Sequence, residues 1–241
     1  LILTPLPSFA ASSISYVSGA KVDKGALSVE GRIGYSWDEK GDSNNQRLQL
    51  REHIDYGFSD WYALRLITSQ DKREGDNLEH NAVTFENRIQ LIERAKHGWD
   101  GGLRLIYAHR DGDKTPHDID ARLILQIPFG QAKDWEFRHN INLGHEIGEA
   151  SEHGFNLELR HQLTKKITAP NYLKKLKIGI ELFNDFGNLR ELSGFDNQDH
   201  QLGPVIKGSF SHGIYFETGY RGALSDDAAN HAIKFSLGRK F

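Results

Sequence analysis

The chain has 241 residues, of which 38% are hydrophobic, with a formal net charge of -3 and a mean hydropathy of -0.57. No apolar run approaches the ~20 residues that a spanning helix requires, which excludes a helical membrane protein but not a membrane β-barrel, whose strands are only half apolar. The acidic balance argues against a nucleic-acid binder, and the absence of cysteine removes disulfides, thiolate metal sites and a cysteine nucleophile.

Residues 1–25 read either as the remnant of a secretory signal peptide or as an N-terminal arm. The apolar start from Leu1 runs to Ser8 and Ala10 at small-residue positions, and the lack of any methionine suggests a processed or truncated product. From residue 26 onward the pattern changes to apolar alternation in short blocks, with no sustained helical period. It predicts about twelve strands, over 26–38, 46–57, 61–72, 81–95, 101–111, 117–129, 134–146, 153–164, 173–186, 200–210, 213–223 and 231–241. The expected fold is all-β, a single antiparallel transmembrane β-barrel over 26–241. An even strand number brings both ends of the barrel to one side.

The connections support this, because outer-membrane barrels alternate short periplasmic turns with longer outer loops. The turns 57–60, 96–100, 130–133 and 211–213 are tight, and the longer polar segments 39–45, 73–80, 111–116, 147–152, 187–199 and 224–230 lie between them. Segment 165–172 is the exception, a longer connection on the short side. Trp61, Trp99 and Trp135 each follow a short turn, where an indole would sit at a membrane interface, and Tyr35 and Trp37 close the first strand at the opposite one. In the last strand Ile233, Phe235, Leu237 and Phe241 share a face opposite Lys234, Ser236 and Lys240, and the chain stops on a terminal Phe.

One face of the strands carries an aliphatic band, including Val29, Ile54, Leu66, Phe85, Leu105, Leu123, Ile141 and Ile180, interrupted by Glu52, Asn87 and His139. A charge near the bilayer midplane costs a few kcal/mol, so those three are expected at loop-proximal, interfacial or bulged positions. The other face is charged and predominantly basic. Its candidate pore-lining residues are Arg47, Arg51, Arg65, Arg88, Arg104, Arg122, Arg138 and Arg160, which recur on successive strands as a basic track, with Glu86, Asp120, Glu136 and Glu158 beside them. A soluble barrel would alternate in the same way, but about eight strands already enclose a space that side chains fill, and about twelve enclose more. A soluble two-sheet sandwich is the competing fold.

At residues 202–208, 215–222 and 224–235, preceded by 181–187 and 198–200, the chain resembles the MetA-pathway phenol-degradation family of bacterial outer-membrane proteins. In size and in its Arg-rich lumen it is also similar to the small monomeric porins for acidic sugars. These resemblances imply an outer-membrane transporter with a C-terminal strand that serves as the barrel-assembly signal, and the even strand number with the short turns places both termini on the periplasmic side. They imply outer-membrane lipid, lipopolysaccharide and the barrel-assembly machinery as partners.

Enzymatic chemistry finds little support. Outer-membrane phospholipase A is similar in strand number and needs a His–Ser–Asn set at its lipid-facing surface. Here Ser211 and His212 are the only adjacent Ser–His pair, in a proposed periplasmic turn. His139, His145 and His161 have no ligand spacing for a metal, Asp111, Asp113, Asp118 and Asp120 lack the order of a calcium loop, and Gly101–Gly102 carries no phosphate-loop signature. No cofactor is expected, and the protein is not read as an enzyme. The leading expectation is a channel for small hydrophilic, anionic solutes through a charged lumen. The rival is a structural barrel plugged by cross-strand ion pairs, and a lipid hydrolase ranks third.

Overall fold

The computed structural model describes residues 12–112, 116–149, 151 and 153–241. Twelve antiparallel strands close on themselves: β1 (Leu27–Trp37), β2 (Arg47–Gly57), β3 (Tyr62–Lys72), β4 (Glu79–Ile92), β5 (Asp100–Arg110), β6 (His117–Phe129), β7 (Trp135–Ile147), β8 (Asn156–Ile167), β9 (Lys175–Asn188), β10 (Asp199–Ser209), β11 (Ile214–Ala223) and β12 (His231–Lys240). Each strand pairs with its neighbours in sequence, and β1 closes the barrel on β12 from Ser28 opposite Lys240 to Trp37 opposite His231. The Phe241 amide donates to the Leu27 carbonyl at 2.8 Å, which ties the chain end to the start of the first strand.

The boundaries differ from the alternation in places. β4 ends at Ile92 because a one-turn helix, α1 (Arg94–His97), takes up the residues expected to finish it. β8 is shifted toward the C-terminus by about three residues, which shortens the connection to β9 to 168–174 and eases the anomaly expected there. Bulges lie at Ser69/Gln70, Gln90/Ile92 and Asn156/Glu158.

Successive β side chains face opposite ways, so the alternation sorts the sequence onto two surfaces. Outward lie the aliphatics, with Ile54, Leu123 and Ile180 each more than half exposed. Inward lie the charges and amides, with Glu86, Arg104 and Gln162 buried. This is the inverse of a soluble barrel. Aromatic rings collect at both rims of the apolar belt. Phe58 with Tyr62 and Phe129 with Trp135 stack at the short-turn rim, and Tyr35 with Trp37 and Tyr220 with His231 make ring contacts at the long-loop rim.

The three polar interruptions of the belt correct the expectation. Glu52, Asn87 and His139 sit within regular strand, away from ends and bulges, and each is satisfied across the ladder. Thr68 donates to Glu52 at 2.7 Å, the Tyr62 hydroxyl to Asn87 at 2.9 Å, and the His139 and His161 rings lie 3.1 Å apart at Nδ1. A neighbouring strand can supply the partner that water would supply at an interface.

Within the barrel, residues 15–23 run without regular secondary structure between turns at 13–14 and 24–25. Residues 1–11, which include Ser8 and Ala10, lie outside the described residues.

Candidate functional site

The lumen is the candidate site, and its occupant is the protein's own N-terminal segment. Ile14, Val17, Ala20 and Val22 are buried there, beside Tyr16 and the serines Ser13, Ser15 and Ser18. The segment enters near the long-loop end, where the Ser12 and Ser13 hydroxyls donate to Gln49 at 2.7 and 3.0 Å. It leaves at the short-turn end, where Gly25 donates to the Gly57 carbonyl and Asp23 pairs with Lys240.

A single irregular segment inside a barrel has no ladder partner, and its amides and carbonyls must still be paired. The wall supplies side chains instead. Arg221 donates to the Ser12 carbonyl at 2.9 Å, Lys234 to Ser15 at 3.1 Å, Arg160 to Tyr16 at 3.0 Å, Arg104 to Gly19 at 3.0 Å and Arg88 to Lys21 at 3.3 Å. Asn140 binds both backbone groups of Ser18, accepting from its amide at 2.7 Å and donating to its carbonyl at 3.1 Å. Gln126 and Gln90 accept from the amides of Ala20 and Val22.

The wall is also shaped for close approach. At Gly34 a Cβ would fall 2.7 Å from the Ile14 amide nitrogen, and at Gly102 one would fall 3.2 Å from the Ala20 Cβ. Val17 and Phe183 form a buried apolar pair, and the Arg221 guanidinium lies 4.2 Å from the centre of the Phe183 ring. Tyr16 is held between Arg32 and Lys234, at 3.8 and 4.3 Å from its ring centre.

All twelve candidate pore-lining residues sit on the inward face, and most are tied into ion pairs. Arg47 binds Asp71 at 2.6 Å, and Asp55 takes Arg65 at 2.5 Å and Arg88 at 2.6 Å. Glu86 takes Arg104 at 2.7 Å and Arg65 at 3.5 Å, Glu136 takes Arg138 at 2.9 Å, and Glu158 takes Arg160 at 2.6 Å. Arg51, Arg122 and Asp120 stand apart, with no ion pair among the described residues. Arg122 makes hydrogen bonds only to neutral groups, Asn142 and Ser18, both at 3.2 Å.

Sequence reasoning missed a second network, in which Lys234 is buried between Glu181 at 2.8 Å and Glu217 at 3.1 Å, and Lys207 reaches Glu217 at 2.6 Å. Alternation placed these residues inward, but their mutual approach depends on the curvature of the barrel. The luminal course of residues 12–26 was likewise missed. Its sequence signal is the uncharged run over 12–20, mostly Ser, Gly and Ala, ahead of the strands, matched by inward glycines in an otherwise charged wall. His139 and His161 meet, but His145 turns to the Gly154 carbonyl at 2.6 Å. Among the described residues no group of three or more His, Cys, Asp or Glu is arranged to hold a metal ion.

No known protein family matches the sequence, and no curated protein does. Solved structures do match the fold. The chain is similar to the β-domain of the Bordetella autotransporter BrkA, with a TM-score of 0.52 at 14% identity over 90% of this chain and 99% of that one. It is also similar to the outer membrane protein Omp33 of Acinetobacter baumannii, with a TM-score of 0.49 at 11% identity over 93% and 99% of the two chains. A third is the translocator domain of the autotransporter NalP from Neisseria meningitidis, with a TM-score of 0.45 at 13% identity over 91% and 89%. At 14% identity the likeness to the BrkA β-domain is one of fold alone.

Proposed function

We propose that the protein is a monomeric channel of the Gram-negative outer membrane for small hydrophilic anions, closed in this conformation by residues 12–24. The carrying observation is the way the segment is held. Its backbone is gripped by wall cations and amides beside the buried side chains of Ile14, Tyr16 and Val17, and individual hydrogen bonds contribute about 1 kcal/mol from an amide and about 1.5–3 kcal/mol from a cation. Backbone contacts to polar wall groups are ones that water and solutes can replace. Arg51 and Arg122, wall cations with no ion pair among the described residues, would then favour anions over cations in the opened path.

The outward aliphatic belt and its two aromatic rims support a membrane setting. The fold likeness supports the outer membrane, with lipopolysaccharide around the belt and the assembly machinery reading the strand that ends at Phe241. The narrower kinship with the MetA-pathway family is part of the same proposal and rests on residues 181–235. A permanently plugged structural barrel is the second reading, favoured by the density of ion pairs around Asp55, Glu86 and Glu217.

Planar-bilayer recording separates the two. The intact chain is expected to conduct rarely, and a chain lacking residues 12–24 steadily and with anion preference. A deletion barrel that keeps its heat-modifiable mobility yet never conducts would overturn the channel reading in favour of the structural one.

A further inference from the structure

A cavity of about 180 Å³ lies in the lumen between the segment and the wall of β2 to β6. Tyr16 and Ser18 of the segment form one side, and Arg51, His53, Arg104 and Arg122 are among the wall residues. Asn81, Arg110 and Asp118, near strand ends on the long-loop side, also line it.

The charges around this chamber do not balance. Two of its three carboxylates are engaged, Glu86 by Arg104 and Arg65 and Asp118 by Arg110 at 2.7 Å, while the third, Asp120, has no ion pair among the described residues and lies over Gly144 of β7. Arg51 makes no hydrogen bond or ion pair among the described residues, and it stands directly opposite another arginine, Arg32, in the β1–β2 register. Arg122 likewise faces Arg104 across β5 and β6 and has neutral partners only. Like charges directly opposite on a sheet destabilise it, and an arginine cannot relieve this by losing its proton.

A second observation points the same way. His53, on the inward face two residues beyond Arg51, is 3% exposed, lines the cavity, and has no hydrogen-bond partner at either ring nitrogen. Two guanidiniums without an ion pair and an imidazole without a partner thus surround one small space, against a single unpaired carboxylate, Asp120, on its β6 side. Both guanidiniums are donors only, and the ring supplies a further N–H.

We propose that this chamber binds one small oxyanion, of the size of phosphate or sulfate, with Arg51 and Arg122 as the charged donors and His53 as a hydrogen-bonding wall. The planar guanidinium fork matches such an anion with two parallel hydrogen bonds. The site is completed by Tyr16 and Ser18, so it belongs to the closed barrel. It deepens the anion-channel reading by naming the ligand class, and it rests on that reading only for its biological purpose.

The test is titration of the intact, refolded chain in detergent micelles with inorganic phosphate and with sulfate, at constant ionic strength in chloride, followed by calorimetry and by ³¹P line broadening. Saturable one-to-one binding is expected, weakened at least tenfold in Arg51→Gln and in Arg122→Gln and unchanged in Lys165→Gln, which alters a cation on the outer short-turn rim. Arg51→Lys, which keeps the charge but loses the fork, should fall between. Absence of saturable binding by the unaltered chain overturns the proposal whether or not any variant folds, as does equal affinity in folded Arg51→Gln and Arg122→Gln. Conductance is not part of this measurement. A barrel that binds phosphate and never conducts retains the site and loses the channel, and one that conducts without binding does the reverse.

Discussion

Replacing Tyr16 by alanine should release the segment from the lumen while leaving the barrel closed. Tyr16 is 7% exposed, and its ring lies 3.8 Å from the Arg32 guanidinium and 4.3 Å from the Lys234 ammonium. Losing a buried aromatic side chain costs about 3–5 kcal/mol, and each desolvated cation–π contact contributes about 1 kcal/mol of its own. Part of the two overlaps, and water entering the gap recovers some, so about 4 kcal/mol is a fair net loss to the seated state. Arg32 keeps Glu30, and Lys234 keeps Glu181 and Glu217, so no wall charge is orphaned. At about 1.4 kcal/mol per factor of ten, the displaced fraction should rise on the order of 1000-fold. The chain has no cysteine, so Ser15→Cys introduces a single reporter at a position 3% exposed in the lumen. Its labelling by a bulky hydrophilic maleimide should be slow in the Tyr16 parent, comparably slow with Tyr16→Phe, and on the order of 1000-fold faster with Tyr16→Ala. A rise below about tenfold, in a barrel that still shows heat-modifiable mobility, would refute the argument that this ring anchors the segment.

Two further outcomes follow from the geometry. Gly203→Val should abolish barrel closure, because a Cβ there would fall 1.8 Å from the Tyr220 carbonyl oxygen, whereas Gly31→Ala, with nothing within 4 Å, should refold in normal yield. Equal recovery of heat-modifiable barrel from both would contradict the closeness of β10 and β11. At the short-turn end, partial burial disfavours the charged form of Asp23, but Lys21 at 2.6 Å and Lys240 outweigh it and hold the carboxyl below its usual range. Its contribution is therefore present above the unfolded value of about 4 and is lost as pH falls through the lower folded value. The melting temperature of the unaltered barrel should exceed that of Asp23→Asn modestly at about pH 6, and the gap should shrink progressively as the pH falls below about 4. A gap that persists in acid would place the effect of the substitution elsewhere.

The strands, their order and the division into a charged and an aliphatic face were legible in the sequence, because a period of two is a local property that each segment carries by itself. Loop lengths and the position of Trp61 and Trp135 told the two rims apart for the same reason. Which arginines would be neutralised was not legible. Arg65 and Arg51 look alike in the chain, yet Arg65 meets Asp55 and Glu86 while Arg51 faces another arginine, a matter of register and closure between strands. Lys234 and Glu181 are 53 positions apart and meet only because the wall curves. Residues 12–26 depended most on the tertiary structure. They carry no alternation of their own and pair with Gln49, Asn140, Arg160 and Lys234, groups on separate strands that converge only after the barrel has enclosed a space. Local pattern determined the wall, and the closed wall then determined what occupies it.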